Sequence, residues 1–350
     1  MTAPTTPRVT AIVVVYGAPP ARISACLDSL HDSRGIDVRT IVVDNGSPDG
    51  GAAATAVCND RPGVQLVRSA SNLGFAGGVN LGLRHRGADD AVWLLNDDAT
   101  VLPDTVSRCV QLLQAGGDRC IAVAPKMLLA SEPGRIDAVG TVLRPNGEAF
   151  NAGIGQPDVG QFAHGTQVFG PCFGAALFRA DAFRDDIVGA LDERYFLYYE
   201  DIDWDIRAAH RGFLTLAATD AVVHHEHATS TRLMGEPRRF AMVQRNLLLC
   251  VSKNFHRRAV LRIWAQRTVV HAKGCITGPY RWARVTAMAG ALVRLPAALL
   301  ARREARRGHL LDNPAMFRFA QGQEPFFDAT TYRASRPTDA AAAAARKRPA

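Results

Sequence analysis

Residues 9–16 read VTAIVVVY, an almost unbroken run of apolar and mostly β-branched side chains. A run of this kind predicts a β-strand that is buried on both faces. Residues 19–30 follow with apolar side chains at helical spacing, and residues 38–43, VRTIVV, resemble the first run. Strand, helix and strand in this order predict a parallel βαβ unit.

The same alternation continues outward to about residue 115. Further strands are expected at 64–68 and 91–95, and helices at 51–59, 79–86 and 103–115. This order predicts an α/β protein with a doubly wound, mostly parallel sheet flanked by helices. Because such sheets bind ligands outside the carboxyl ends of their strands, polar groups that follow a strand are the first candidates for a binding site.

The composition fits a globular protein of a reducing compartment. Of the 350 residues, 47% are hydrophobic, which is enough for one large core or two modest ones. The seven cysteines are scattered without a CxxC pair, and the N-terminus lacks the apolar core of a signal peptide. No uninterrupted apolar run reaches the ~18–20 residues of a membrane span, since residues 287–301 contain Arg294 and Pro296. We therefore expect a cytoplasmic protein.

Charge is distributed unevenly along the chain. Residues 1–237 contain 19 Lys and Arg against 28 Asp and Glu, a net charge of −9, whereas residues 238–310 contain 16 basic residues and one acid, a net charge of +15. Residues 311–350 end in AAAAARKRPA, which is typical of an extended strap with a frayed tail. These differences predict an acidic domain, a basic helical segment and a tail.

The basic segment at 238–310 indicates an anionic partner, either phospholipid or nucleic acid. Its Lys and Arg residues alternate with apolar residues and with Trp264 and Trp282, a combination that favours an anionic membrane surface. A solvated helical face or a dimer interface would have the same composition. Nucleic acid is not expected as a partner, because no helix-turn-helix or RNP pattern is present and the acidic clusters would stay unexplained.

Two acidic clusters are candidates for chemistry. Asn96-Asp97-Asp98 ends the strand AVWLL, where neighbouring carboxylates would repel each other unless a cation or solvent offsets them. Mg²⁺ and Mn²⁺ prefer such oxygen ligands and bind together with substrate phosphates; the alternative is a solvated turn that caps the next helix. Glu200, Asp201 and Asp203 lie among aromatic residues at a predicted helix start. One of these acids could act as a general base, and helix capping is the alternative.

Two further segments carry groups that suit ligands. His224 and His225 end a predicted strand at 221–225 and suit metal ligation, with structural histidines as the alternative. A zinc site is not favoured, because no cysteine lies at zinc spacing. The segment SNLGFAGGVN at 71–80 precedes a predicted helix, so its backbone could approach a phosphate or form only a tight turn. It matches neither GxGxxG nor a P-loop and does not identify a nucleotide.

Eight segments, in this order, resemble glycosyltransferase family 2, the inverting transferases of the GT-A fold. They are AIVVVYG, IVVDNGSPDG, NLGFAGGVNLGL, LLNDDA, GPCFGAALFR, LDERYFLYYEDIDWDIRAAHRGF, VVHHEHATS and QRNLLLCVSKN, within residues 9–255. They look most like the bacterial rhamnosyltransferase-like branch, with galactofuranosyltransferases as near relatives. The resemblance implies a GT-A catalytic domain at 1–237, with the nucleotide sugar bound through about 9–115 and the acceptor through about 120–237.

The resemblance also implies a role for each matching residue. Asp201 would be the catalytic base, with Glu200 and Asp203 supporting it or contacting the acceptor. Asp98 and His225 would contact a divalent cation, Mg²⁺ or Mn²⁺. The nucleotide sugar would be bound by residues at the strand ends and in the glycine-rich segment: Val15, Asp44, Asn45, Gly46, Asn72, Gly74, Asn80, Asn96 and Asp97.

Some features of the site stay open after this comparison. Asn96 replaces the first Asp of the family's Asp-x-Asp metal motif, and His224 is the alternative to His225 as metal contact. Val15 stands where many relatives have Thr, so the donor base could be uracil or thymine. The implied donor is a dTDP- or UDP-sugar, with dTDP-rhamnose first. The implied acceptor is a glycan or lipid-linked envelope molecule at the cytoplasmic membrane face, used by a peripheral protein that could be a homo-oligomer.

Two other functions compete with glycosyl transfer. A sugar-phosphate nucleotidyltransferase also uses a doubly wound sheet and a metal, but the segment VVVYGAPPARIS lacks its glycine run and its lysine. A catalytically inactive partner subunit would keep the fold without the chemistry. The presence of Asp98, Asp201 and His225 argues against that alternative.

Overall fold

A mixed β-sheet forms the centre of the protein. The computed structural model describes residues 7–59, 61–87, 91–226, 235–305 and 313–321. The strands within them are β1 (Arg8–Val15), β2 (Asp37–Asp44), β3 (Val64–Arg68), β4 (Ala91–Asn96), β5 (Ala99–Val101), β6 (Cys120–Leu129), β7 (Glu132–Ala138), β8 (Thr141–Leu143), β9 (Ala149–Asn151), β10 (Gln167–Val168), β11 (Ala175–Arg179) and β12 (Leu214–His225). Ten of these described strands form one sheet, in the order β10-β12-β6-β11-β4-β1-β2-β3, with β5 beside β12 and β7 beside β6.

The first four strands are parallel, as the alternating pattern predicts. In the register of the sheet Val15 lies beside Asp44 and Val14 beside Asn96, so that β1, β2 and β4 end at the same edge. Helices α1 (Pro20–His31), α2 (Ala52–Cys58), α3 (Gly74–Arg84) and α4 (Thr105–Ala115) pack around the sheet. The prediction of an α/β fold with a mostly parallel sheet is confirmed.

Helix α3 begins earlier than the expected range 79–86, because the glycine-rich segment forms its first turns. A Cβ atom added to Gly78 would lie 2.7 Å from Val14 Cγ1, and one added to Gly82 would lie 2.6 Å from Ile12 Cγ2. Glycine at these positions lets the helix pack directly on β1. The segment therefore serves helix–strand packing as well as the turn before the helix.

The second half of the sheet is mixed. Strand β11 lies antiparallel between β4 and β6, and β12 runs parallel to β6. Strand β12 starts at Leu214, well before the expected strand at 221–225. At its other end His225 lies opposite Ala99 of β5, which brings the chain after β4 next to the last residue of β12. Strands β8 and β9 form a separate two-stranded ribbon.

Apolar side chains cover both faces of the sheet. One cluster joins Trp93 to residues of α1 and α4 such as Leu27 and Val106. The cluster on the other face joins α3 to the helix α5 (Glu200–His210) and includes Trp204, which packs edge-on against Phe178 at a centroid distance of 5.1 Å. Helix α5, which carries the second acidic cluster, is thus anchored to the sheet.

The basic segment is helical and begins inside the core. Helices α6 (Glu236–Asn254), α7 (Arg257–Thr277) and α8 (Arg281–Ala305) follow the sheet, and a short α9 (Asn313–Met316) comes last among the described residues. Leu247 and Leu248 of α6 pack in one buried cluster with Tyr195 and with Ile202 of α5. The expected domain boundary near residue 237 therefore lies just inside α6, and this helix packs against α5.

Helix α8 differs from the sequence expectation that no segment could span a membrane. Arg281–Arg303 is long and apolar enough to cross a membrane. Its 23 residues include a stretch with a mean hydropathy of 1.4, although the helix contains charged residues. Core helices of soluble proteins pass the same test, but only 22% of the apolar window of α8 is buried. This helix exposes apolar surface that a core helix would bury.

Candidate active site

A cavity of about 600 Å³ opens at the carboxyl ends of β1, β2 and β4. One wall belongs to the parallel half and consists of Val14, Tyr16, Asn45, Pro48, Asn72, Gly74, Phe75, Asn96, Asp97 and Asp98. The facing residues belong to the second half and to α6, and they are Asn151, Cys172, Phe173, Gly174, Phe196, Leu197, Tyr198, Glu200, Asp201, His225, Arg238 and Arg239. The cavity brings both acidic clusters to the edge where doubly wound sheets bind ligands.

The first acidic cluster is matched by cationic partners. Asp97 accepts a hydrogen bond from Arg22 Nη2 at 3.1 Å, and both side chains are largely buried. Burial raises the pKa of Asp97 to about 6, against the opposing charge of Arg22. Asp98 Oδ1 lies 3.1 Å from His225 Nε2, which the pairing of β5 with β12 brings to the end of β4.

His225 is held between two carboxylates. Its Nδ1 lies 2.7 Å from Oδ2 of the buried Asp137, and its Nε2 lies 3.3 Å from the amide nitrogen of Asn96. Burial alone would lower the pKa of His225, but hydrogen bonds to Asp137 and Asp98 raise it to about 10. His224 precedes it on the strand and points to the opposite side of the sheet, outside the cavity lining.

The donor groups around Asp98 fit a divalent cation completed by substrate. Asp98 supplies a carboxylate and His225 an imidazole nitrogen oriented by Asp137, the arrangement in which ligating histidines are found. Because Asp98 and Asp137 raise the pKa of His225, this position stabilises positive charge. No three His, Cys, Asp or Glu side chains in the described part of the chain form a complete metal cage. Ions such as Mg²⁺ commonly take one or two carboxylates and complete their shell with water and substrate phosphates.

Two acids of the second cluster, Glu200 and Asp201, have no such partners in the part of the chain that the structure describes. Asp201 accepts the backbone N–H of Ile202 at 2.7 Å, and burial raises its pKa to about 6. Glu200 is buried, and among the described residues its Oε2 has no hydrogen-bond partner. Burial, followed by the charge of Asp201, raises the pKa of Glu200 well above its usual value. Both side chains line the cavity, so two neighbouring carboxyl groups face it side by side.

Asp203 differs from the expectation that it contacts the acceptor or supports the base. Its carboxylate is fully buried and accepts hydrogen bonds from Lys253 at 2.7 Å, Arg207 at 3.0 Å and Asn254 at 2.8 Å. Burial would raise the pKa of Asp203, but the charges of Lys253 and Arg207 lower it. Residue 203 lies on the side of α5 that faces α6, so it joins the two helices and does not reach the cavity.

The loop before α5 has an unusual backbone that residue Asn246 holds in place. Phe196, Tyr198 and Tyr199 have φ angles of 67°, 68° and 72°. Side chains other than glycine rarely adopt this left-handed region, at a cost of about 1–3 kcal/mol each. Asn246 of α6 is buried, and its Nδ2 donates to the carbonyl oxygens of Tyr195, Leu197 and Tyr198 at 2.9, 2.9 and 2.8 Å. Asn246 therefore positions the loop that presents Glu200 and Asp201.

The asparagines of the parallel half shape the other side of the cavity. Asn45 Nδ2 donates to the carbonyl oxygen of Gly74 at 2.9 Å, and its Oδ1 accepts the N–H of Leu73. Asn72 Oδ1 accepts the N–H of Gly74 at 2.8 Å. A Cβ atom on Gly74, which has a φ of 73°, would lie 2.2 Å from the carbonyl oxygen of Phe196. Glycine is required there because the two walls touch.

Four of the residues expected at the nucleotide sugar do not line the cavity. Val15 points into the core below the sheet edge. Asp44 is buried and accepts the N–H of Ser47 at 3.2 Å, while Gly46 lies against the backbone of Ser71. Asn80 bonds Leu191 and Glu193, so its amide ties α3 to the loop before α5. These residues support the wall from behind.

The structure adds residues that the sequence did not single out. Asp137 and Asn246 orient functional groups from 88 and about 50 positions away, and no local pattern marks either of them. Tyr16 and Phe173 add aromatic surface to the lining, and Arg238 adds positive charge at the start of α6. Only the position of Asn246 inside the recognised QRNLLLCVSKN segment could have drawn attention to it.

The chain is similar to curated proteins over more than half of its length. The chain is 27% identical over 260 residues to N-acetylglucosaminyl-diphospho-decaprenol L-rhamnosyltransferase from two strains of Mycobacterium tuberculosis. The match covers 63% of this chain and 76% of the relative.

Solved structures share the fold at lower identity. Mannosyltransferase PcManGT from Pyrobaculum calidifontis, in complex with GDP-Man and Mn²⁺, superposes with a TM-score of 0.51 at 19% identity, over 87% of this chain and 84% of that one. GalNAc-T7 with UDP, GalNAc and Mn²⁺ gives a TM-score of 0.60 at 10% identity, over 89% of this chain and 60% of that one. At these identities the likeness shows the fold alone.

The family model for glycosyl transferase family 2 matches residues 10–186. That range contains the four parallel strands, the first acidic cluster and Asp137, and the structure adds the second cluster beside them. The chain therefore belongs to glycosyl transferase family 2, and it is a glycosyltransferase with a GT-A fold.

Proposed function

We propose that this glycosyltransferase moves a sugar, with inversion, from a nucleoside diphosphate donor to a lipid-linked or polysaccharide acceptor of the cell envelope. The observation that carries the proposal is the pairing of two unlike acidic clusters across one cavity. Asp97 and Asp98 have cationic partners, whereas Glu200 and Asp201 have no basic partner among the described residues. Burial raises the pKa values of Asp97, Glu200 and Asp201 alike, so the partners make the difference.

The parallel half would bind the donor. Asn45, Asn72 and Gly74 form a polar wall beside Tyr16, a surface that suits a nucleobase and ribose. Rhamnose from dTDP-rhamnose is the first candidate, because the similar curated protein is named a rhamnosyltransferase. A UDP-linked hexose or galactofuranose is the alternative within the family.

Asp98 and His225 would hold Mg²⁺ or Mn²⁺ at the donor side of the cavity. When bound, such an ion would supply positive charge that stabilises the departing nucleotide. Arg22 keeps Asp97 in place beside this position, and Asp137 orients the His225 ring. Two solved structures with the same fold contain Mn²⁺, which agrees with a cation at this place.

Asp201 would act as the base. Its carboxylate takes the proton from an acceptor hydroxyl while the hydroxyl oxygen attacks the anomeric carbon from the face opposite the leaving group. The carbon–oxygen bond to the diphosphate breaks, and the nucleoside diphosphate leaves. A pKa of about 6 suits this step, because the group is ionised at neutral pH and still accepts a proton. A single displacement inverts the anomeric carbon, so no carboxylate acts as a nucleophile.

The acceptor would approach at the cytoplasmic membrane face. The similar curated protein is named for an acceptor linked to decaprenol through a diphosphate. The basic segment that follows the catalytic half would attract the enzyme to an anionic leaflet. Arg238 and Arg239 line the cavity at the start of that segment.

The proposal is tested by incubating the purified protein with a panel of nucleotide sugars, with and without Mg²⁺ or Mn²⁺. Metal-dependent turnover of one donor is expected, and that donor names the sugar. Turnover that is equal with excess chelator would contradict the metal assignment. No turnover and no nucleotide binding across the panel would favour an inactive partner subunit.

A further inference from the structure

Helix α8 is packed with its small side chains inward. Its buried residues are all alanines, namely Ala283, Ala287, Ala291, Ala298, Ala301 and Ala305. Its exposed residues include large apolar side chains, which we call the apolar stripe: Trp282, Val285, Leu292, Val293, Leu299 and Leu300. At about 100° per residue the apolar stripe covers an arc of about 120° opposite the alanines. Helices on the surface of soluble proteins show the reverse arrangement.

Helix α7 also exposes large apolar side chains. Leu261, Val269, Val270 and Ile276 are all more than half exposed. Elsewhere in the described part of the chain, Leu102 and Val159 are the large apolar side chains with comparable exposure. Surface of this kind, concentrated on one hairpin, marks an interaction site.

Positive charge borders the apolar stripe. Arg281 precedes it and Arg303 follows it, and the surrounding residues 238–310 contain 16 basic residues against one acid. We propose that the α7–α8 hairpin binds an anionic phospholipid bilayer by inserting the apolar stripe into one leaflet, with α8 parallel to the membrane plane. Apolar insertion flanked by arginines is the chemistry of interfacial amphipathic helices.

Contacts along its whole length keep α8 on the protein and argue against a spanning orientation. Near its middle Gly290 lies against the Arg245 side chain, further along Arg194 donates to the carbonyl oxygen of Ala297 at 2.9 Å, and Arg302 donates to that of Ser252 at 2.7 Å. A spanning α8 would lose these contacts or draw α6, with its polar and charged side chains, into hydrocarbon. Only one face of α8 carries large apolar side chains. Such a helix suits the surface of a leaflet, whereas a membrane-spanning helix is apolar on all sides.

The charge of the segment also argues against a second copy of the chain as the occupant of this surface. Two such hairpins would bring segments of net charge +15 together, and like charges at close range oppose association. A bilayer with acidic lipids supplies the opposite charge. The inference concerns a surface outside the cavity and holds whether or not the proposed donor and acceptor are right.

Vesicle flotation with the full chain tests this inference. The protein should float with phosphatidylcholine vesicles that contain phosphatidylglycerol, and a substantial part of the binding should persist at about 1 M salt, where screening shortens the Debye length to about 3 Å. The double variant Val293→Asp, Leu300→Asp should lower the bound fraction by about tenfold at both salt concentrations. Both side chains are solvent-exposed, so folding and donor turnover should stay unchanged.

Val159→Asp is the matched control, because Val159 is 79% exposed, like Val293 at 78%, but lies outside the hairpin. It should bind vesicles like the unaltered protein. Equal binding by all three proteins, or equal binding to vesicles without acidic lipid, would overturn the inference. The inference would also be overturned if the unaltered protein bound no vesicles but self-associated, and the double variant abolished that self-association.

A tryptophan at the middle of α8, made by Val293→Trp in the Trp282→Phe background, reports the orientation, because residue 293 is 78% exposed and lies about 18 Å from either end of the helix. Bromine placed near the lipid headgroups should quench the emission of this tryptophan more than bromine at the chain ends, with Trp282→Phe alone as the reference. Stronger quenching from the bilayer centre would indicate a spanning helix and contradict the in-plane orientation.

Discussion

The two acidic clusters face the same cavity, yet their surroundings are opposite. Asp97 and Asp98 each lie about 3.1 Å from a basic side chain, Arg22 in one case and His225 in the other. Neither Glu200 nor Asp201 forms an ion pair with a Lys, Arg or His among the residues that the structure describes. A nearby acid, Asp203, lies only two positions further along and is paired with both Lys253 and Arg207.

This difference separates binding from proton transfer. A cationic partner favours the ionised form of an acid and suits a place where positive charge is held, although burial still raises the pKa of Asp97 to about 6. An acid that is buried without such a partner has no neighbouring charge to hold its ionised form and suits the exchange of a proton. The spacing of the acids in the sequence is similar in both clusters, so only the neighbours decide the role.

The largest expected effect comes from Asp201→Asn. Removal of a general base lowers turnover by about 10²–10⁴-fold, since the amide cannot accept the acceptor proton. Donor binding should stay nearly unchanged, because the polar wall of Asn45 and Asn72 is on the other side of the cavity. Turnover and donor affinity are measured separately, by single-turnover kinetics and calorimetry.

The control for this variant is Asp186→Asn, an exposed carboxylate that pairs with Arg184 on the surface. It should behave like the unaltered protein in both measurements. If Asp201→Asn keeps most of its turnover, the base lies elsewhere and the two clusters do not divide the chemistry in this way.

The next largest effect is expected from Asp137→Asn, which tests the cluster of Asp97 and Asp98 with its basic partners. This buried residue bonds His225 Nδ1 at 2.7 Å, and loss of such an orienting carboxylate usually costs about 10–100-fold in metal affinity or activity. The Mn²⁺ concentration for half-maximal turnover should rise accordingly. Asp220→Asn is the control, because Asp220 pairs with His164 at 2.8 Å on the surface. An unchanged metal requirement in a folded variant would remove His225 from the proposed site.

The sequence could predict both clusters but not the difference between them. The buried strands and the acids that follow them are local patterns, so the sheet edge and the positions of Asp98 and Asp201 were predictable. The partners come from far along the chain: Asp137 is 88 positions from His225, and Lys253 is 50 positions from Asp203. Asp203 was expected to support the base or contact the acceptor. Its pairing with Lys253 and Arg207 was not predictable, because its helix face depends on where α6 packs, which no local pattern reveals.

A smaller effect is expected from Asn246→Leu, which tests how the unpaired cluster is positioned. The variant removes the Asn246 amide from three carbonyl oxygens of the loop, and the loss of a buried hydrogen-bond partner costs about 1–3 kcal/mol. Turnover should fall by about tenfold while donor KM stays the same, since the loop carries the base and not the donor wall.

Ser252→Ala separates positioning from stability. Ser252 is buried on the same helix and bonds Leu248 and Trp264, but it does not touch the loop. It should lower the melting temperature without lowering turnover. Equal loss of turnover in both variants would make Asn246 a merely structural residue.

The pH profile should show whether the loss of turnover at low pH comes from Asp201, because Asp97 in the other cluster also has a pKa raised to about 6. Because the pKa of Asp201 is raised to about 6, turnover should be full above that pH and fall about tenfold for each unit below it. Donor binding measured over the same range at saturating metal shows whether the loss lies in the chemical step. In Asp201→Asn the residual turnover should be independent of pH in this range; a fall that persists in the variant would assign the pKa to another group.

The smallest effect is expected from Glu200→Gln. Burial and the charge of Asp201 raise the pKa of Glu200 well above its usual value, which favours the neutral carboxyl form that glutamine resembles. Turnover should stay within about threefold of the unaltered enzyme, whereas Glu200→Ala should lose more because it removes the polar group from the acceptor side. A loss in Glu200→Gln as large as that in Asp201→Asn would mean that Glu200 is the ionised base. The proton acceptor would then be Glu200 and not Asp201.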